Sequence, residues 1–296
     1  MTTPEASLAD ALDAFLAGAD LAPRSVRVYR QALEQLAREL GAETPLHAIE
    51  LEHLEHAAQQ AWSALAPATW NRNTAVLKSF LRWSAPDGEL PRGARRQLAR
   101  RREPADRTRA IPYAQLERLW SREGVPLREK VLWRLLYETA ARAGEILALN
   151  IEDLDLANKR ARIRSKGGDL ELVHFQSGSA RLLPRLLGGR RRGPLFLTER
   201  AAPQGIPSLD TCPVTGRARL SYRRAAALFT EQTGGWTLHQ LRHSAITHLA
   251  EAGESTVLLM AKSRHGSLRS LQRYARPGPE AVAALTARND PARRRP

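Results

Sequence analysis

The sequence predicts a mainly α fold with a small β-hairpin, in two parts joined by a basic linker. Three observations lead to it. Apolar residues recur at spacings of three and four along most of the 296 residues. The stretch RARIRSKGGDLELVHF breaks that period, with extended runs at 161–165 and 170–175 around Gly167–Gly168 and Asp169. A third stretch, LPRGARRQLARRREPADRTRAIP, has no apolar periodicity and carries eight arginines and two acids between Arg92 and Arg109.

The first 90 residues divide into four short helices. SLADALDAFLAGA begins at Ser7, a good N-cap. In APRSVRVYRQALEQLAREL the residues Val26, Tyr29, Leu33, Leu36 and Leu40 form one helical face. PLHAIELEHLEHAAQQAW is the third. APATWNRNTAVLKSFLRWSA is the fourth, with Ala75, Leu77, Phe80, Leu81 and Trp83 on its apolar side. Asn71, Arg72, Asn73 and Lys78 lie on its outer side, a composition suited to a phosphate backbone and also to an ordinary solvated face. The boundaries read from the pattern are 1–90 for the first domain, 91–109 for the linker, 110–290 for the second domain and 291–296 for a disordered tail.

The second part opens with IPYAQLERLWSREG and PLREKVLWRLLYETAARAGEILAL, both read as helical. After the hairpin, helical patterns resume at 179–187, 221–232, 238–251, 255–262, 267–274 and 278–288. No repeat of 20–50 residues is visible.

Charge narrows the function classes. Lys and Arg total 46 against 31 acids, a net charge of +15, and only five of the 46 are lysines. Such an excess favours a polyanionic partner, and nucleic acid leads an anionic membrane surface. The arginine fork suits phosphate oxygens, although a GC-rich genome would also favour arginine over lysine. No apolar run approaches a membrane span, and the N-terminus lacks a signal-peptide pattern. The single cysteine, Cys212, cannot form an internal disulfide or a thiolate-rich metal site, so the cytoplasm is the expected compartment.

Two motifs carry candidate chemistry. In TLHQLRHSAITHLAEAG, His239 and Arg242 project from one side of a helix, either as a surface pair at its N-terminus or as part of a site. His239 and His243 also have a spacing found in zinc sites, but the Glu of the hydrolytic pattern is missing and no metal is expected. In YETAARAGEIL, Arg142 lies among small residues of an apolar helical region, where a charge needs a partner; Glu145 is three residues on. That pair is either structural or an anion hole.

Six residues in order make the resemblance specific: Arg142 in AARAGEIL, Lys166 in RSKGGD, His239 and Arg242 in HQLRH, His265 in SRHGS and Tyr274 in LQRYAR. The chain resembles a tyrosine recombinase of the phage integrase superfamily, over residues 7 to 288, and within it the two-domain Xer and integron-type enzymes. The resemblance implies an N-terminal SAM-like helical core-binding domain followed by an α+β tyrosine-recombinase catalytic domain. The length suggests no additional arm-binding domain.

It also implies roles. Arg142 and Arg242 would bracket the scissile phosphate, with Glu145 in support. His265 would donate a hydrogen bond to that phosphate. His239 would take or organise the proton of Tyr274, which attacks phosphorus to give a 3′-phosphotyrosyl bond. Lys166 would protonate the 5′ leaving oxygen. Neither metal nor ATP would be needed. The other tyrosines, Tyr29, Tyr113, Tyr137 and Tyr222, lack the matching histidine and arginines. Asn71, Arg72, Lys78, Arg107 and Arg109 are the expected DNA contacts. The expected partner is double-stranded DNA with inverted half-sites. It would be bound by a homotetramer, with or without a second recombinase, that passes through a Holliday junction. The chain would be a monomer off DNA, and the helix PEAVAALTA would pack into a neighbouring protomer or fold back on its own domain.

Two departures stand out. Ser263–Arg264 replaces the family's usual Leu-Gly before the second histidine, which implies a different loop shape or an Arg264–phosphate contact. The hairpin after Lys166 is acidic where the family is basic, placing Asp169 and Glu171 near DNA. Two other readings share part of the pattern. A DNA-binding accessory protein that had lost catalysis would show a broken set, and this set is complete. A type IB topoisomerase would share the nucleophile chemistry and relax supercoils without pairing sites.

Overall fold

The computed structural model describes residues 6–84, 98–104, 110–165 and 168–271, together with residues 283, 286 and 287. The chain divides into two compact units, Met1–Ala105 and Asp106–Pro296.

The first unit is a helical bundle of α1 (Leu8–Gly18), α2 (Pro23–Leu40), α3 (Leu51–Trp62) and α4 (Pro67–Ser84). Ser7 and Asp10 form a reciprocal capping box that satisfies orphan N–H groups at the start of α1. Pro23 opens α2, where a missing N–H costs nothing. Leu33 and Leu36 of α2 are fully buried against Phe15, Trp62, Leu77 and Phe80. The spacing of three and four is the direct cause, because it gathers these side chains on one face of each helix.

The outer side of α4 differs from its sequence expectation. Asn73 is buried, and Asn71 and Lys78 are already engaged within the protein. Their partner is the end of the basic stretch. Leu98 inserts fully into the bundle core. Lys78 Nζ donates to Leu98 O at 2.7 Å, and Trp70 Nε1 donates to Ala99 O at 3.0 Å. Asn71 accepts from Arg101 N at 2.7 Å and donates to Arg101 O and to Glu103 Oε1, both at 2.9 Å. The Arg101 guanidinium stacks 3.7 Å over the Trp70 ring. Residues 98–104 are therefore docked on α4, whereas the charge run read as a basic linker between the two domains. A single leucine among arginines creates no periodicity, which is why the docking was not legible. Arg72 stays exposed, while Arg107 and Arg109 lie outside the described residues.

The second unit is built around α6 (Leu127–Thr139), which follows α5 (Tyr113–Ser121). Next come α7 (Ala143–Leu147) and a three-stranded antiparallel sheet, β1 (Leu154–Asp155), β2 (Arg160–Arg164) and β3 (Leu170–His174). Ile163 pairs with Glu171 and Arg164 with Leu170, so the predicted hairpin is present. After α8 (Ser177–Leu187) comes a second small sheet, β4 (Leu197–Ala201) and β5 (Arg217–Arg219). Helices α9 (Tyr222–Thr233), α10 (Leu238–Glu251), α11 (Thr256–Ser263) and α12 (Leu268–Leu271) follow. Both α8 and α10 pack on α6, and Trp133 of α6 meets Phe229 edge-on with ring centroids 5.1 Å apart.

Two features were not read from the sequence. Strands β1, β4 and β5 are too short or irregular to show a period of two. The stretch read as one helix through Arg142 breaks after Thr139. Ala140 is left-handed at φ 53°, and Thr139 Oγ1 accepts from Ala141 N at 3.1 Å while donating to Leu135 O at 2.6 Å. Arg142 consequently sits at the N-cap of α7 rather than inside an apolar helix. At the other end of α7, Arg219 Nη1 donates to the carbonyls of Leu147, Ala148 and Leu149, satisfying the orphan acceptors there.

Asn71→Ala removes three hydrogen bonds to the docked segment. It should destabilise the first unit by about 1–3 kcal/mol and speed tryptic cleavage among Arg100, Arg101 and Arg102. Thermal melting and limited proteolysis read both effects. An unchanged digestion rate would show that Asn71 does not hold the segment.

Candidate active site

Helix α10 supplies two of the expected residues. Thr237 and Gln240 cap its N-terminus reciprocally. His239 lies in the first turn, exposed. Arg242, one turn later, is only 3% exposed. Its Nη1 donates to Ala140 O at 2.5 Å and its Nη2 to Ser263 O at 2.6 Å. Both acceptors belong to helix C-terminal ends: Ala140 caps α6, and Ser263 closes α11. Such carbonyls lack intrahelical donors and carry the negative end of the helix dipole. They hold a buried guanidinium in one orientation.

His265 follows directly. Its Nε2 is 3.3 Å from Arg242 Nη2, and its Nδ1 is 2.7 Å from Ser263 Oγ. The hydroxyl of Ser263 has one proton, which it donates to Leu259 O at 2.6 Å. The assigned tautomer therefore carries hydrogen on Nδ1, donating to Ser263 Oγ, and turns the Nε2 lone pair toward Arg242. Burial, with Arg242, Arg142, His239 and Arg264 nearby, lowers the His265 pKa from the ordinary 6.5 to about 4. His265 is neutral at pH 7.

Arg142 and Glu145 form a closed pair at the start of α7. Arg142 N donates to Glu145 Oε2 at 2.8 Å, and Arg142 Nη1 donates to Oε1 at 2.9 Å. The Arg142 side chain is 48% exposed and Glu145 is 8% exposed. The sequence suggested a buried arginine. The helix break puts it at the surface, with one edge of its fork held by Glu145.

Arg264 takes up the Leu-Gly departure. It is left-handed at φ 55°, ψ 45°, and its side chain is 11% exposed. It pairs with Glu145, and its Nε lies 2.9 Å from Glu171 Oε2 on β3. Sequence spacing could not reveal this pairing, because the three residues come from distant segments.

The described residues thus bring Arg142, His239, Arg242 and His265 together, with Glu145 in support. Lys166 and Tyr274 lie outside the described residues. Their flanks are described: β2 and β3 on either side of Lys166, and Leu271, fully buried, three positions before Tyr274. Among the described residues no group of three or more His, Cys, Asp or Glu side chains is placed to hold a metal ion. No described helix is long and apolar enough to cross a membrane.

The depressed His265 value has a stability consequence. Between pH 6.5 and 4 the unfolded chain binds a proton that the folded chain refuses. The contribution is complete above pH 6.5 and is lost as pH falls toward 4. His265→Gln should flatten the fall in Tm across that window, and the imidazole C–H resonance of the parent should titrate well below 6.5. A resonance midpoint at or above 6.5 would contradict the site's electrostatics.

Comparison with known proteins agrees with this geometry. Residues 111–280 match the model of the phage integrase family. Tyrosine recombinase XerC of Mycobacterium sp. (strain KMS) is 28% identical over 229 residues, covering 73% of this chain and 74% of that protein. XerC of Chromobacterium violaceum is 26% identical over 271 residues, covering 88% and 86%. The fold is shared with the Tn1549 transposon integrase in complex with transposon right end DNA, at a TM-score of 0.69 and 16% identity over 96% of this chain and 99% of that one. It is shared too with a lambda integrase tetramer bound to a Holliday junction, at 0.65 and 15% over 88% and 78%. The family match spans more than half of the chain and includes every residue of the charged cluster, so the chain belongs to the phage integrase family of tyrosine recombinases.

Proposed function

We propose that this recombinase cleaves and rejoins DNA at specific sites through a 3′-phosphotyrosyl intermediate formed on Tyr274. The observation that carries the reading is the grouping of Arg142, Arg242 and His239 around a neutral His265. These groups suit a phosphodiester, whose negative charge grows on the non-bridging oxygens in a five-coordinate transition state. Arg242 offers a guanidinium fixed by two helix ends. Arg142 offers the free side of a fork whose other edge is tied to Glu145.

His265 has a conditional role. In the unbound protein its Nε2 faces Arg242 as an acceptor. An arriving phosphate adds the negative charge that the surrounding cations oppose, which raises the imidazole pKa. His265 then takes a proton and donates from Nε2 to a phosphate oxygen. His239, exposed at the start of α10, accepts or organises the phenol proton of Tyr274. Tyr274 attacks phosphorus, and the bond to the 5′ oxygen breaks. Lys166, between β2 and β3, supplies the proton to that oxygen. The phosphodiester energy stays in the tyrosyl ester, so the reverse attack by a 5′ hydroxyl reseals the strand.

Residues 1–90 would be the core-binding domain, and residues 110–290 the catalytic domain. Asn71 and Lys78 serve DNA binding indirectly, by holding the docked segment that carries the exposed Arg102. Arg72, Arg107 and Arg109 are proposed as direct phosphate contacts. Full recombination would use four protomers on paired sites with inverted half-sites, passing through a Holliday junction, in the cytoplasm.

The test is covalent capture. A pool of nicked duplexes with randomised inverted arms is incubated with the protein and resolved on a denaturing gel. The parent should give a protease-sensitive protein–DNA band, and Tyr274→Phe should give none while still retarding DNA on a native gel. A band that persists in Tyr274→Phe would reject this nucleophile. Retardation without any band from the parent would reject strand cleavage.

A further inference from the structure

Resting on the recombinase reading, we propose that Arg264 and Glu171 form a latch that ties the β2–β3 hairpin to the Arg142–Glu145 pair, positioning Lys166 for proton transfer to the leaving oxygen. The two departures in the sequence, an arginine at 264 and an acid at 171, meet in space. Arg264 Nε lies 2.9 Å from Glu171 Oε2, and the same guanidinium pairs with Glu145.

The Arg264–Glu171 contact is an ion pair without hydrogen-bond alignment, and Glu171 keeps 35% of its side chain exposed, but its surroundings set it apart. Arg264 occupies a left-handed conformation at φ 55°, where glycine would be relaxed and an arginine is strained. Its side chain is almost wholly enclosed, and so is that of Glu145. A glycine there would leave Glu171 facing the site as an unneutralised carboxylate, repelling DNA next to the hairpin. The arginine cancels that charge and joins three segments: α7, β3 and the loop that carries His265. Glu171 is one pleat from the end of β3 nearest the Lys166 turn and pairs with Ile163 across the hairpin. Fixing Glu171 therefore fixes the base of that turn.

The division of Glu145 has a second effect. Its Oε2 serves Arg264 and the backbone N of Arg142, while its Oε1 holds Arg142 Nη1. Among the described residues the Arg142 side chain is then held at one point, by Glu145, which leaves the rest of its fork for phosphate. Arg264 acts through other groups and is a positioning residue.

The experiment compares two leaving groups. Nicked duplexes recovered from the parent's covalent band are prepared with the ordinary 5′ oxygen or with sulfur in its place. A thiolate leaves without a proton, so a misplaced Lys166 no longer matters. Single-turnover cleavage is measured for the parent, Arg264→Gly, Arg264→Lys, Glu171→Gln and the Arg264→Gly/Glu171→Gln double variant. Glycine suits φ 55°, so the loop backbone is not strained by the change. On the oxygen substrate Arg264→Gly should lose about 10–100-fold, part of what a general acid contributes. Arg264→Lys should recover part of that loss, and the double variant should be no slower than Arg264→Gly. On the sulfur substrate most of that loss should disappear, the remainder coming through Arg142. Equal losses on both substrates, additive losses in the double variant, or unchanged cleavage of the oxygen substrate would each overturn the latch alone. A parent that forms no covalent band overturns the recombinase reading and the latch with it.

Discussion

Arg242 is a full positive charge almost wholly withdrawn from water. Burying an ion costs several kcal/mol unless the surroundings supply oriented partners. Here they are the carbonyls of Ala140 and Ser263, at the ends of two helices. The arrangement is reciprocal. The helix ends need donors, and the guanidinium needs acceptors. Much of the local architecture follows from this bond set. Helix α6 must stop at Ala140, so the chain turns and presents Arg142 at the start of α7. Helix α11 must stop at Ser263, so His265 arrives beside Arg242. One buried side chain on α10 thus registers three segments that are far apart in sequence.

The same crowding sets the chemistry. Burial first, and then the positive groups pressed around it, push His265 toward neutrality, and those cations raise each other's energy. That unfavourable interaction is relieved when an anion enters. The empty site is less comfortable than the occupied one, so binding energy is directed at the phosphate and at the further charge it gains during reaction. Among the described residues, the carboxylates paired with the cluster's arginines are Glu145 and Glu171. Glu145 holds one edge of Arg142, and Glu171 reaches Arg264. Backbone carbonyls orient Arg242 without cancelling its charge.

Local chemistry was legible in the sequence, and distant pairing was not. The face of α2 could be read because helical spacing is imposed by backbone geometry, and Leu33 and Leu36 are buried accordingly. His239 and Arg242 could be placed on one side of α10 for the same reason. The break at Ala140 was hidden, because it depends on a Thr139 side-chain bond and on Arg242 from another helix. The docking of residues 98–104 depends on Leu98 and on hydrogen bonds from Asn71 and Lys78 across 20 residues or more. Those two side chains read as outward contacts and are spent inside the unit. The Arg264–Glu171 pair showed in the sequence only as two unrelated departures from a family pattern.

The arginines exist to neutralise phosphate charge. Removing that charge from the substrate tests this directly. A methylphosphonate at the scissile position replaces one non-bridging oxygen with an uncharged methyl group. Arg142→Ala should cut an ordinary phosphodiester about 10²–10³-fold more slowly than the parent. On the methylphosphonate it should recover to within about tenfold of the parent's rate on that substrate, because the charge that Arg142 answers is gone. If Arg142→Ala stayed equally defective on the neutral substrate while the parent cleaved it, charge neutralisation would not be the purpose of the cluster.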